Sequence, residues 1–168
     1  MIGMSSYLQN EDLTNIAVKL GSAIYSNETL QSYCEMHFGK KMSVLVGAQE
    51  PDLLNESLAP FCFIHDMGKA EGAERKRHQY QAVFGVGLSI HEDDAVFEGV
   101  QVTAGHQRVS EVLTLIQDAL NGYKNGCMPP NEIEQNVIGM PGNNPHFWQG
   151  FLFCVWSLDV SIGGYQEF

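Results

Sequence analysis

The sequence predicts an α+β protein: an antiparallel or mixed sheet of about four strands, with helices packed on one face of it. Two long segments of alternating side chains support this prediction. The first covers residues 79–91 and has apolar residues at every second position: Tyr80, Ala82, Phe84, Val86, Leu88 and Ile90. The second lies near the end of the chain and repeats the pattern with Leu152, Cys154, Trp156, Leu158, Val160 and Ile162. A period of two marks a strand with one buried face, and such a sheet keeps a second face available for a partner.

The N-terminal part, residues 10–39, is predicted to be helical. Asn10 is a suitable N-cap for a helix that ends near Ser26. Asn27 starts a second helix, and Gly39 suits the position just after its last turn. The first helix has a single apolar stripe, formed by Leu13, Ile16, Ala17, Leu20 and Ile24. Residues 42–163 then form a sheet-and-helix core, and we expect one domain over residues 1–168.

The strands are expected at four places. Residues 61–66 pair with 79–91 in a hairpin, whose long flexible tip covers 68–78 because it contains two glycines and a basic cluster. Residues 95–104 form a third strand, with a bulge or an edge position at Glu98. The predicted sheet is built from residues 60–67, 78–91, 95–104 and 147–162, with helices 10–26 and 107–121 on its apolar face. A short strand is also expected at 42–46.

The segment 123–146, rich in Asn, Pro and Gly, is predicted to be a long loop between the last helix and the last strand. Ordinary connections are about 4 to 6 residues long. The length of this one indicates either a functional loop or an arm at an interface.

Composition excludes several classes of protein. The 168 residues are 44% apolar, which suffices for one buried core, and the net charge of −11 repels phosphate, which argues against a general nucleic-acid binder. Residues 1–9 have neither the basic nor the apolar region of a signal peptide, and no apolar stretch is long enough to span a bilayer. The four cysteines are widely spaced and form no CxxC pair: Cys34, Cys62, Cys127 and Cys154. We therefore expect a reduced, cytoplasmic protein.

The basic residues are unevenly distributed. Four of the nine Lys and Arg residues fall in or beside the predicted hairpin tip: Lys69, Arg75, Lys76 and Arg77. One interpretation is a solvated loop, which is the usual role of a charge run. The other is a basic finger that contacts an acidic patch on an identical neighbouring subunit.

Aromatic residues cluster where the last predicted strand begins: Phe147, Trp148, Phe151 and Phe153. Alternation must point half of them away from the main core. They are therefore candidate residues of a subunit interface. The alternative is burial under the loop 123–146.

One short motif suggests an enzyme. His65-Asp66, followed by Gly68-Lys69, resembles the HDxGK signature of the metal-dependent HD phosphohydrolases. In that family the pair lies on a helix, whereas here it ends an apolar strand. An enzyme of this type would require His65 and Asp66 to converge on a metal with His91 or Asp94.

The glycines provide no phosphate loop, because Gly85-Val86-Gly87 lies in the middle of a strand. We expect these glycines to allow the close approach of another backbone or of a ring such as Trp148 or Trp156. We expect no catalytic residues, no cofactor and no metal. A regulatory or peptide-binding domain that uses the exposed sheet face or edge is a further alternative.

The order of elements resembles the tail-terminator, or tail-completion, proteins of long-tailed bacteriophages and prophages. The resemblance covers about residues 60–163 and is topological: a hairpin with a long tip, a third strand, the helix GHQRVSEVLTLIQDAL, a long loop, and the terminal strand FWQGFLFCVWSLDVSI. Other neck and head-completion proteins share this architecture.

The resemblance implies a structural, non-enzymatic role in virion assembly. Such proteins form a hexameric ring that caps the tail tube, stops its growth and joins the tail to the head. The expected partners are other copies of the chain, the tail tube and head-completion proteins. The subunit can stay monomeric in isolation, and no specific nucleic-acid binding or membrane contact is expected. The implied location is the virion, and the host cytoplasm during assembly.

Overall fold

The α+β prediction is confirmed by a computed structural model, which describes residues 12–47, 54–71, 77–122, 129–139 and 144–159. Within these residues the chain forms three helices, a mixed five-stranded sheet and a separate two-stranded sheet. The helices are α1 (Leu13–Tyr25), α2 (Glu28–Phe38) and α3 (Ala104–Asn121). The strands are β1 (Ser43–Val46), β2 (Phe61–Glu71), β3 (Arg77–Ser89), β4 (Ala95–Phe97), β5 (Val100–Val102), β6 (Glu132–Gly139) and β7 (Phe147–Asp159).

The five-stranded sheet has the order β1-β2-β3-β7-β6. β1 pairs with β2 in parallel, and the other neighbours are antiparallel. The helices lie on one face: α1 packs on β1 and β2, and α3 packs on β7, β6 and β3. The predicted faces are confirmed, because Leu88 and Trp156 are buried in this core while Ser89 and Ser157 are half-buried on the other side.

The helix caps follow local sequence signals. Asn27 caps α2 by accepting a hydrogen bond from the backbone N–H of Leu30 at 2.9 Å, and Gly39 ends it in the left-handed conformation with φ 75°. Both were predicted. The N-cap of α1 is Asp12, which accepts from the N–H of Asn15 at 2.8 Å, instead of the predicted Asn10, which lies outside the described residues.

The prediction that residues 95–104 form a strand of the main sheet is wrong. β4 and β5 pair only with each other, and Glu98 and Gly99 form the turn between them with φ 49° and 82°. Positive φ at both central residues is the geometry of the tight turns that join short hairpins. The segment is therefore a small hairpin beside the main sheet.

The prediction that residues 123–146 form only a loop is also wrong. Part of this segment is β6, which pairs with β7 as an edge strand of the main sheet. The hairpin tip is shorter than expected too, since β2 continues to Glu71 and β3 begins at Arg77. A bulge between His65 and Gly68, with Asp66 at φ 48°, lets β2 continue past its apolar part.

Candidate assembly surface

The sheet has a second face, turned away from the helices, and this face is partly covered. At one end the segment 54–60 lies over it and forms a small core. The buried members are Ala59, Phe61 and Phe147, with Leu45, Leu54, Leu58 and Phe63 packed around them. The protein therefore has a main core under the helices and a satellite core on the second face.

Glycines on β3 make room for the rings of this satellite core. A Cβ added to Gly85 would lie 2.3 Å from the ring of Phe63, and one added to Gly87 would lie 2.3 Å from the ring of Phe61. The close approach predicted at these glycines is present. The rings are phenylalanines, however, and not Trp148 or Trp156, because both tryptophans pack on the helix side.

The four candidate aromatic residues divide between the two faces. Phe147, Phe151 and Phe153 occupy alternate positions on the second face, and Trp148 packs against the main core with its ring on Gly105. Phe147 is buried in the satellite core, whereas Phe151 and Phe153 are half-buried. Residues 132–139 of the predicted covering loop form β6, which lies beside β7 and not over it.

The open part of the second face contains a groove of about 440 Å³. Its apolar lining includes Leu54, Phe63, Val83, Ile138 and Phe151. Ile138 is 60% exposed, although it is a large apolar residue in a strand. The groove, with this exposed side chain at its edge, is therefore a candidate interaction surface.

His65 lies at the rim of this groove. Its ring stacks on Phe63, with centroids 4.4 Å apart, and its Nδ1 lies 3.0 Å from Oδ2 of Asp66. The metal hypothesis required His91 or Asp94 to join this pair. His65 pairs with Val83 on β3, and His91 is eight residues further along the chain, which is about 25 Å at strand spacing.

The two distant residues have other partners. His91 stacks on His146 with centroids 4.3 Å apart, and its Nε2 lies 3.4 Å from Oε1 of Glu56. Asp94 accepts a hydrogen bond from the N–H of Ala104. Among the described residues, His, Cys, Asp and Glu form no group of three suited to a metal ion.

Glu56 holds the covering segment onto the ends of two strands. Its Oε1 accepts from the hydroxyl of Ser89 at 2.8 Å, and its Oε2 accepts from the amide of Asn144 at 2.6 Å. These two hydrogen bonds, first that of Asn144 and then that of Ser89, lower the pKa of the Glu56 carboxyl. Sequence reasoning missed this cluster because its members are 33 and 88 residues apart.

A second charged cluster lies around Arg108 of α3. Its guanidinium contacts Glu92 at 2.7 Å and Glu111 at 2.9 Å, and the hydroxyl of Tyr33 donates to Glu111. Desolvation raises the pKa of the Glu111 carboxyl, but the hydrogen bonds from Tyr33, Gln107 and Arg108 outweigh it and the pKa lies below its ordinary value. The cluster ties α2, α3 and the turn before β4 together.

The basic tip predicted as a finger is only partly described. Lys69 is exposed in β2, with its Nζ 5.8 Å from the ring centroid of Tyr80. It therefore belongs to the strand and not to the tip. Arg75 and Lys76 lie outside the described residues, and Arg77 begins β3 with its side chain outside the described part.

No protein-family model matches this sequence, and no curated protein matches it. Within the described residues, no helix is both long enough and apolar enough to cross a membrane. The arguments for function therefore come from the chain's own surfaces.

Proposed function

We propose that this chain is a structural protein of virion assembly, which caps a phage tail tube and joins tail to head as a ring of identical subunits. The observation that supports this proposal is the half-covered second face of the sheet. Helices cover the first face, while Val83, Ile138, Phe151 and the groove beside them stay open to a partner.

A ring subunit needs surfaces for its neighbours and for the tube that it caps. A stable contact of standard size buries about 800 Å² on each partner. The core of such a contact is richer in aromatic residues than the rest of the surface. The half-buried rings of Phe151 and Phe153 match that description.

The charge supports the same role. With twenty acidic and nine basic residues, the chain carries a net charge of −11. A channel wall of this sign repels phosphate, so DNA slides through it without binding. The proposed partners are further copies of the chain, most simply six in a ring, the tail tube and head-completion proteins. The proposed role needs no cofactor and no catalytic residue, and it is carried out in the host cytoplasm and in the virion.

Deletion of the gene from the phage or prophage that encodes it tests this proposal. We expect full heads and separate tails of uncontrolled length in electron micrographs, and no infectious particles. Joined particles with normal tails in the absence of the protein would contradict the proposal.

Complementation with variants then tests the surface. Ile138→Asp places a charge on the second face and should restore few joined particles. The matched control is Met36→Asp on α2, which also alters an exposed apolar residue, 75% exposed, and should restore normal yields. Equal yields from the two variants would exclude the second face as the functional surface.

A further inference from the structure

The β4-β5 hairpin exposes an apolar pair at its tip. Phe97 and Val100 face each other across the two strands, and they are 51% and 62% exposed. Ala95 and Val102, the next pair on the same face, are half-buried nearer the body of the protein. A two-stranded hairpin is marginally stable by itself, so an apolar tip that does not contribute to a core suggests a binding function.

The base of this hairpin is fixed on both sides. Before β4, Asp94 accepts from the N–H of Ala104 at 3.0 Å, and Glu92 pairs with Arg108. Both partners belong to α3, which starts just after β5. The tip is therefore held in a defined direction, and a surface that is already ordered loses little entropy on binding.

A second apolar groove lies between α1 and the edge strand β1. Its volume is about 730 Å³, and its lining includes Val18, Gly21, Tyr25, Val44 and Val46. Val18 and Tyr25 are 50% and 56% exposed. Gly21 lets the helix approach the strand, since a Cβ there would lie 3.2 Å from the side chain of Val44.

Charge distinguishes this groove from the one on the second face. Lys41 is exposed just before β1, whereas Lys40 beside it donates to the carbonyl of Ser57 at 3.1 Å. Gln31 places this strand start beside the end of α1, because it accepts from the N–H of Met42 at 2.8 Å and donates to the carbonyl of Tyr25 at 3.0 Å. The hairpin carries acidic residues at its base and turn, including exposed Asp93 and Glu98. The groove on the second face is instead bordered by Asp66.

We propose that the β4-β5 hairpin of one copy inserts Phe97 and Val100 into the α1-β1 groove of a second copy. This inference rests on the self-association in the proposed function and specifies its contact. Hairpin and groove are different surfaces of one chain, so the contact is heterologous. An open chain of subunits always has one free hairpin at one end and one free groove at the other. The chain closes into a ring when the rotation between neighbouring subunits brings these two ends together.

The test is a mixing experiment with two variants, followed by sedimentation velocity. Val100→Asp disables the hairpin and keeps the groove, whereas Val18→Asp disables the groove and keeps the hairpin. We expect the wild-type protein to associate beyond dimers at concentrations up to roughly 1 mM, the weak end of specific binding. Each variant alone should associate at least about tenfold more weakly. Mixed together, they should form one-to-one dimers and nothing larger.

Two further variants control for general effects. Val96→Asp places the same charge on the opposite face of the hairpin and should associate like wild type. Phe97→Ser repeats the hairpin test without adding a charge and should weaken association. Circular dichroism establishes that each variant is folded. All four substituted side chains are exposed, so the thermal unfolding of the variants should match that of the wild type.

The inference would be overturned by a wild-type protein that stays monomeric over the whole range, or by a mixture that gives no dimer. Association of Val100→Asp at wild-type strength, or its loss in Val96→Asp, would overturn it as well. The phage deletion is independent of these results. Normal virions without the protein would refute the viral role but would not affect the hairpin contact. A wild-type protein that stays monomeric would refute the hairpin contact but would not affect the viral role.

Discussion

Asp94 accepts a hydrogen bond from the backbone N–H of Ala104 at 3.0 Å, and it therefore caps α3 from ten residues upstream. The residue at the N-cap position, Thr103, makes no side-chain capping bond. Because Asp94 precedes β4 and Ala104 follows β5, one hydrogen bond both caps the helix and closes the base of the hairpin.

Replacement of Asp94 by Ala should lower the free energy of unfolding by about 0.5 to 2 kcal/mol, the usual cost of losing an N-cap. Urea denaturation measures it. Asp93→Ala removes the neighbouring exposed carboxylate and should change stability by less than about 0.5 kcal/mol. Equal losses in the two variants would show that charge, and not capping, is responsible.

Glu111 should make stability depend on pH. Its pKa in the folded state lies below the ordinary value of 4.5, so its ionised form stabilises the fold above that value. This contribution is lost as the pH falls through the folded pKa. Glu111→Gln should therefore lose less stability than wild type between about pH 7 and about pH 3, as measured by urea denaturation. The exposed Glu35→Gln on α2 is the matched control, and a wild-type slope in Glu111→Gln would contradict this prediction.

Gly105 should not tolerate a side chain. A Cβ there would lie 2.0 Å from the ring of Trp148, so Gly105→Ala forces the ring to move. Overpacking costs about 1 to 3 kcal/mol, which is more than the gain of about 1 kcal/mol in helix propensity. Thermal unfolding and tryptophan fluorescence measure the effect. At Gly122 an added Cβ would lie 3.6 Å from the carbonyl oxygen of Ala119, which is ordinary contact, so Gly122→Ala should be nearly neutral.

The basic residues Arg75, Lys76 and Arg77 remain a predicted contact. Reversal of all three to Glu should leave thermal stability nearly unchanged, since an exposed charge contributes about 0 to 1 kcal/mol. The triple variant should nevertheless fail to restore joined particles in the phage deletion. Normal yields of infectious particles would refute the basic finger.

His65→Ala should have a small effect. The variant loses the stack on Phe63 and the contact with Asp66, which together cost about 1 kcal/mol. Assembly should be intact in complementation. A phosphohydrolase activity of the wild type that disappears in this variant would restore the enzyme hypothesis.

Some of the fold was predictable because the signals are local. Asn27 and Gly39 mark the two ends of α2 by their own capping chemistry, without help from the rest of the chain. The alternation around Phe84 and Leu152 fixes which side of each strand is buried, since a shift of one residue would expose all of these side chains.

Other parts depended on contacts between distant residues. The turn at Glu98-Gly99 lacks the Asn-Gly or Asp-Gly pair that marks a tight hairpin, so residues 95–104 resemble one strand. β6 is an edge strand whose three large apolar residues, Ile133, Val137 and Ile138, do not alternate regularly with its polar ones, so no period of two marks it in the sequence. The groove between α1 and β1 arises from tertiary packing, and periodicity does not reveal it.

The buried cysteines of the core can report on unfolding. Cys34, Cys62 and Cys154 are fully buried, and burial raises the pKa of each thiol to about 12. Alkylating reagents need a thiolate, so these three sites should react only when the fold opens. Their labelling rate, measured by mass spectrometry, therefore reports the rate at which the fold opens. Once Cys127, which lies outside the described residues, is replaced by Ser, a cysteine introduced on the hairpin would accept a dye while the core stays unlabelled.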